Sequence, residues 1–128
     1  MKIEDLEHNL PNGFHDVELL SVARDYGNGS CVLEMQVDAE NGSAEIYRNI
    51  KILLSGLSLL IMEVPDARYP FAKAGGERFS GFATTVKYLP NLEELRQQAP
   101  EGSFFCSFFL NGLNCCIHLA ATDAKLLL

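Results

Sequence analysis

The sequence predicts a mainly β protein, α+β by strict count: an antiparallel meander packed as a sandwich or half-open barrel, with two short helices. Two observations carry this. Four of the ten glycines follow an asparagine, at Asn12-Gly13, Asn28-Gly29, Asn41-Gly42 and Asn111-Gly112. Asn-Gly is a strong hairpin signal, because a type I′ turn needs positive φ at both central residues. The second observation is that the runs between these pairs sort into one apolar and one polar face when paired as strands.

The first element is helical. Ile3, Leu6 and Leu10 follow helical spacing and Pro11 stops the run, so a short amphipathic helix is expected over residues 3–10. Residues 10–13 then form a turn into the first strand.

Two-residue turns at Asn28-Gly29 and Asn41-Gly42 place strands at about 16–27, 30–40 and 43–55. Across them one face reads Leu20, Val37, Ile46; Val22, Met35, Arg48; Arg24, Leu33, Ile50; and Tyr26, Cys31, Ile52. The other face is largely polar. Ser55-Gly56 breaks the pattern, and Leu57 to Val64 is apolar on both faces, as suits a buried or central strand. Residues 65–76 read as a long loop of the kind that often carries function. A further strand is expected over 77–88, with a bulge marked by Gly81. Asn91 with Glu94 reads as the N-cap of a helix over 92–98.

A last hairpin turns at Asn111-Gly112. One face of it, with Phe104, Cys106, Phe108, Leu110, Leu113, Cys115, Ile117 and Leu119, is wholly apolar. The other pairs Phe109 with Asn114, Ser107 with Cys116 and Phe105 with His118. Residues 122–125 read as a closing turn or strand end. Two apolar sheet faces must cover each other, which gives the sandwich. One long coiled sheet with the helices on its concave side is the alternative.

Length and composition narrow the function classes. At 128 residues the chain reads as a single domain, 1–128. Its net charge is −7, with acidic residues spread along the chain. That argues against nucleic acid and anionic membranes as partners, since phosphate binding needs clustered Lys and Arg. The opening residues lack the apolar stretch of a signal peptide, and no apolar run could span a bilayer. Cytoplasmic localisation is the expectation, with Cys31, Cys106, Cys115 and Cys116 reduced and serving as small buried residues.

Candidate site residues are few. Arg24 and Arg48 fall on the apolar face, where arginine is seldom buried without a partner. Asp16 and Glu18 share that side by parity, so the four define a polar cleft for an anion or a partner's charged group. If the arginines are structural instead, their stems lie on the core and their heads reach water. His15 and Asp16 are adjacent in a strand and point apart. His118 reads first as a hydrogen-bonded structural residue. No nucleophile elbow, phosphate loop or zinc-ligand spacing is present, so no catalytic residue, cofactor or metal is expected.

Leu10 to Leu20 (Leu-Pro-Asn-Gly-Phe-His-Asp-Val-Glu-Leu-Leu) resembles the opening of a family of small uncharacterised bacterial proteins. Tyr47-Arg48, Glu63-Val64-Pro65-Asp66, Arg68-Tyr69-Pro70, Phe109-Leu110-Asn111 and the run His118 to Asp123 fit the same pattern. Val17 and Cys115-Cys116 depart from it. Through the His15-Asp16 opening the chain is also distantly similar to immunity proteins that neutralise bacterial toxins. The resemblance implies a bacterial cytoplasmic protein and no catalytic residues. The acidic charge, the small β frame and the lack of a catalytic motif give as the expected function a non-enzymatic protein-interaction module of unassigned biological role, with an immunity-like role as one form of it, acting on a protein partner or by self-association as a homodimer. The alternative is a small-ligand-binding or enzymatic domain built on Asp16, Glu18, Arg24 and Arg48.

Overall fold

The computed structural model describes residues 1–10, 13–14, 17–38, 47–64, 77–83, 91–110 and 115–127; for residues 38, 47, 77–83 and 92 it describes the backbone alone. His15, Asp16, the turns at Asn41-Gly42 and Asn111-Gly112, the 65–76 loop and residues 84–88 lie outside the described residues.

Helix α1 (Ile3–His8) opens with Glu4 and Asp5 in its first turn, where acidic groups suit the dipole. The Asp5 carboxylate accepts the Lys2 backbone N–H at 3.1 Å. Gly13, at φ +56°, ends the segment by donating to the Leu10 carbonyl at 3.2 Å. Ile3, Leu6, Leu10 and Phe14 are all buried. Phe14 meets Phe108 edge to face, with ring centroids 5.9 Å apart. The stripe read from the sequence thus enters the core.

Eight strands follow: β1 (Glu18–Asp25), β2 (Ser30–Asp38), β3 (Tyr47–Ser55), β4 (Leu59–Met62), β5 (Glu77–Ala83), β6 (Phe104–Leu110), β7 (Cys115–Ala121) and β8 (Asp123–Leu127), with helix α2 (Leu92–Gln98) between β5 and β6. Hydrogen bonding runs in the order β4-β7-β6-β5-β1-β2-β3-β8, and every pairing is antiparallel. β5 joins two sheets. Its first residues pair with β1 and its remainder with β6. The inward rows of both sheets share one core, from Leu33, Met35, Ile52 and Leu54 on one side to Cys106, Phe108, Ile117 and Leu119 on the other. The result is the mainly antiparallel β fold expected, sandwich-like and not a closed barrel.

A second corner links the sheets. β3 runs through Gly56 into β4, while β7 runs through Thr122 into β8. β3 pairs with β8 and β4 with β7, so the two bent runs remain partners as both change sheet. Strands that switch sheets through a local bend are how such corners are made. Here the Thr122 amide and hydroxyl both donate to the Ser55 carbonyl, at 3.0 and 3.2 Å. Ser58 donates to the Ala120 carbonyl at 2.9 Å. Gly56 takes φ +61°, and a Cβ there would lie 2.0 Å from Thr122 Oγ1.

The expected registers are displaced by two residues. Arg24 pairs with Cys31 rather than Leu33, Val37 with Arg48 rather than Ile46, and Leu110 with Cys115 rather than Leu113. The reason is visible at the first turn. Four residues, 26–29, separate β1 from β2, and Asn28 is not left-handed as a type I′ turn requires. Asp25 organises this loop instead. Its Oδ1 accepts the amides of Gly27 and Asn28 at 2.9 and 3.2 Å, and Oδ2 accepts the Asn28 side-chain amide at 2.8 Å. A carboxylate that satisfies turn amides in this way competes with the tighter reversal. Gly29 supplies the left-handed step, at φ +59°.

Because the displacement is even, each side chain keeps its expected face. The exception is a bulge between Leu19 and Ser21. An extra residue there exchanges the faces of β1. Val17 and Leu19 are therefore the buried residues before it, in place of Leu20, and Glu18 joins Gln36 on the outward face. Three further expectations are corrected. Among the described residues β4 is an edge strand, not a central one, and Met62 is exposed. Asn91 stands at the start of α2 but is left-handed at φ +62° and makes no side-chain capping bond. Residues 123–127 form a full strand on β3. The irregularity expected near Gly81 is present, between Phe79 and Gly81.

Gly56→Ala is expected to destabilise the protein by about 2–4 kcal/mol, from the left-handed backbone plus the clash with Thr122. Adding Thr122→Ala should recover part of this loss, leaving the backbone strain. A double-mutant cycle by chemical denaturation checks both.

Candidate functional site

Of the four charged residues expected to form a cleft, Asp16 lies outside the described residues and the other three do not meet. Arg24 pairs with Cys31 near one end of β2 and Arg48 with Val37 at the other. Six residues of strand separate those rows, about 20 Å. Both arginines are exposed. The Arg24 guanidinium lies 4.8 Å from the centroid of the Tyr26 ring, which is itself exposed. Glu18 faces outward beside Gln36. The inward parity of the arginines holds, but each stands at a sheet end where its head reaches water.

An open groove of about 520 Å³ lies between the start of α1 and the segment from α2 to β6. Lys2, Glu4, Arg96 and Glu101 contribute two charges of each sign, and Phe105 supplies an apolar wall. The Arg96 guanidinium is already engaged 5.7 Å above the Phe105 ring. The four charges of this lining sum to zero, so it carries no net charge that would select an ionic ligand.

The outward face of β4, β7 and β6 holds a different arrangement. His118 and Ser107 form a cross-strand pair. His118 is 1% exposed, the one fully buried polar side chain among the described residues. Its Nδ1 lies 2.7 Å from Ser107 Oγ. Its Nε2 is buried without a hydrogen-bond partner and faces Glu63 Oε2 at 3.5 Å. Glu63 follows directly on β4. Its amide donates to the Cys116 carbonyl at 3.1 Å, and its Oε1 accepts the Cys116 amide at 2.6 Å. Glu63 is thus held to β7 at two points, although its side chain is about half exposed.

Cys116 completes the group. It lies two residues from His118, so both side chains leave the same face of β7. It is partly exposed, whereas Cys31, Cys106 and Cys115 are buried as expected. Burial, and next the neighbouring Glu63 carboxylate, push its thiol above the usual range. Burial does the same for Cys106 more strongly. The donor atoms of Glu63, Cys116 and His118 lie within 4.8 Å of one another. An imidazole, a thiol and a carboxylate so placed can relay a proton or hold a divalent metal.

Of this group only His118 was a candidate from the sequence. The Cys116–His118 spacing was the available signal, since alternate strand residues share a face. Ser107 comes opposite His118 only with the observed register, and Glu63 arrives from a strand 53 positions from Cys116. No family model matches the chain, and no curated protein or solved structure matches it. Among the described residues, no helix is long and apolar enough to cross a membrane.

Ser107→Ala should cost about 1–3 kcal/mol in denaturant unfolding, because His118 Nδ1 would then be buried without its partner. Arg48→Leu should change stability by no more than about 0.5 kcal/mol, as befits an exposed head at a strand end. A loss of several kcal/mol there would restore the buried-arginine reading.

Proposed function

We propose that the protein is a non-enzymatic protein-interaction module that receives an extended segment of a partner protein along β4. The observation that carries this reading is the state of that strand. β4 pairs with β7 on one side and, among the described residues, with no strand on the other. The apolar side chains at and after its end, Met62 and Val64, are 56% and 87% exposed. A strand edge beside exposed apolar side chains is the substrate for strand addition, and monomeric proteins usually blunt it. The other end of the strand order is blunted: Ala124 of β8 donates to the Met1 carbonyl at 2.7 Å, and the Met1 amine pairs with Asp123.

The net charge of −7 favours a basic partner over a second copy of the chain, since like-charged surfaces repel. An immunity-type role, in which a small acidic protein covers a basic toxin, is one form of this reading. The Glu63–His118 cluster is the observation favouring a ligand-binding alternative, in place of the dispersed arginines.

A photo-reactive side chain at position 62 tests the proposal in the native cell. It is expected to capture a protein with a net positive charge, and hydrogen exchange on the isolated complex should show new protection over 59–64. Met62→Lys with Val64→Lys should weaken binding at least tenfold while leaving the unfolding midpoint unchanged. Protection confined to other strands, or capture of the chain's own copy alone, would refute it.

A further inference from the structure

The polar cluster at the end of β4 combines features that an apolar sheet face does not need. His118 Nε2 is buried, lacks a hydrogen-bond partner and points toward a carboxylate and a thiol. A buried polar atom without a hydrogen bond is costly, and the 3.5 Å approach of Glu63 Oε2 leaves His118 Nε2 facing a second donor atom. We propose that Glu63, Cys116 and His118 bind a single divalent transition-metal ion of the zinc class.

The donor set fits that ion. Zinc takes imidazole nitrogen, thiolate sulfur and carboxylate oxygen at about 2.0–2.3 Å, which places tetrahedral donors about 3.3–3.7 Å apart. The donors here already lie within 4.8 Å, and His118 Nε2 and Glu63 Oε2 are 3.5 Å apart. Closing the remainder needs a rotamer adjustment of Cys116, which is only partly buried, and of Glu63, which is half exposed. One thiolate and one carboxylate neutralise the dication.

The surrounding groups are those that orient metal ligands. Ser107 Oγ lies 2.7 Å from His118 Nδ1; with the Nδ1–H donating to it, the Nε2 lone pair is left for the ion. Glu63 Oε1 remains on the Cys116 amide, leaving Oε2 to bind. Hydrogen bonds of this kind fix tautomer and rotamer before metal arrives. Three protein ligands leave a fourth position for water or an exogenous donor, the open arrangement that structural zinc sites lack. The soft thiolate and imidazole exclude magnesium and calcium, which prefer all-oxygen shells. This inference does not rest on strand addition at β4; either can fail alone.

Cobalt(II) titration of the reduced, metal-stripped full-length chain tests it. One equivalent should bind and give a thiolate-to-cobalt charge-transfer band with the intense visible bands of four-coordinate cobalt. Zinc should displace it and raise Tm, and EDTA should reverse both. Cys116→Ser should abolish the charge-transfer band, Cys115→Ala should leave it intact, and Glu63→Gln should weaken binding more than about tenfold. Ser107→Ala should weaken it about 10–100-fold. His118→Gln, if folded by circular dichroism, should bind no better than Glu63→Gln. The proposal is overturned if the folded wild-type chain shows no thiolate band, if Cys116→Ser binds as tightly as wild type, or if Cys115 supplies the sulfur. It is also overturned if zinc leaves Tm unchanged, which would reduce the cluster to a histidine–carboxylate ion pair.

Discussion

The bend at Gly56 and Thr122 is the constraint on which the rest of the molecule depends. It lets two long runs, 47–62 and 115–127, stay hydrogen-bonded to each other while passing from one sheet to the other. Without it β3 and β8 would form one sheet with no covalent path that places β4 against β7. The corner is therefore both the hinge between the core's two walls and the device that delivers Glu63 to Cys116. Its chemistry is compact: a left-handed glycine, a threonine whose side chain fills the space a Cβ would take, and three hydrogen bonds across the turn.

Much of the fold was legible because strand geometry repeats every two residues. The expected registers were displaced by two residues, yet the faces survived, since an even displacement carries each side chain to the same side of the sheet. What the turns could not reveal was loop length. Asn28-Gly29 has the composition of a two-residue reversal, but Asp25 stands close enough to bind the amides of a longer one. The odd displacement was the damaging one. A single extra residue near Leu20 moved Glu18 to the outward face and brought Val17 and Leu19 inward. Nothing in Leu19-Leu20 distinguishes which leucine is to be buried, because both are equally apolar.

The candidate site was legible in proportion to how local its contacts are. Cys116 and His118 share a face by alternation alone. Ser107 required the true register of β6 against β7. Glu63 required knowing that β4 pairs with β7, a contact whose partners are far apart in sequence and whose pairing is decided by the corner. The apolar run 57–64 reads equally well as a central strand, and only the tertiary arrangement puts it at an edge. The arginines were misplaced in distance rather than direction. They do lie on the core side, but at the ends of the sheet, where a long stem can stay on apolar surface while the guanidinium is hydrated.

A polar cluster on a β-sheet is worth explaining when an apolar one would serve the fold as well. His118 lies in a row with Ile61 and beside Ala120, neighbours that would pack readily against an aliphatic side chain. Burying an imidazole there costs desolvation set against the Ser107 contact and the Glu63 carboxylate, and replacing such groups by hydrophobic ones is often neutral or stabilising. The topology does not need them, for the corner, the bulge and the inward rows already define it. The cluster also sits where β4 ends, and the Glu63 amide extends the ladder to β7 beyond Met62. An ion bound between His118 Nε2 and Glu63 Oε2 would therefore tie down the last residues of the edge strand, beside the exposed Met62 and Val64. Chemistry at the cluster and association at the edge are mechanically adjacent, and a ligand that draws Glu63 toward β7 would stiffen the strand that a partner would meet.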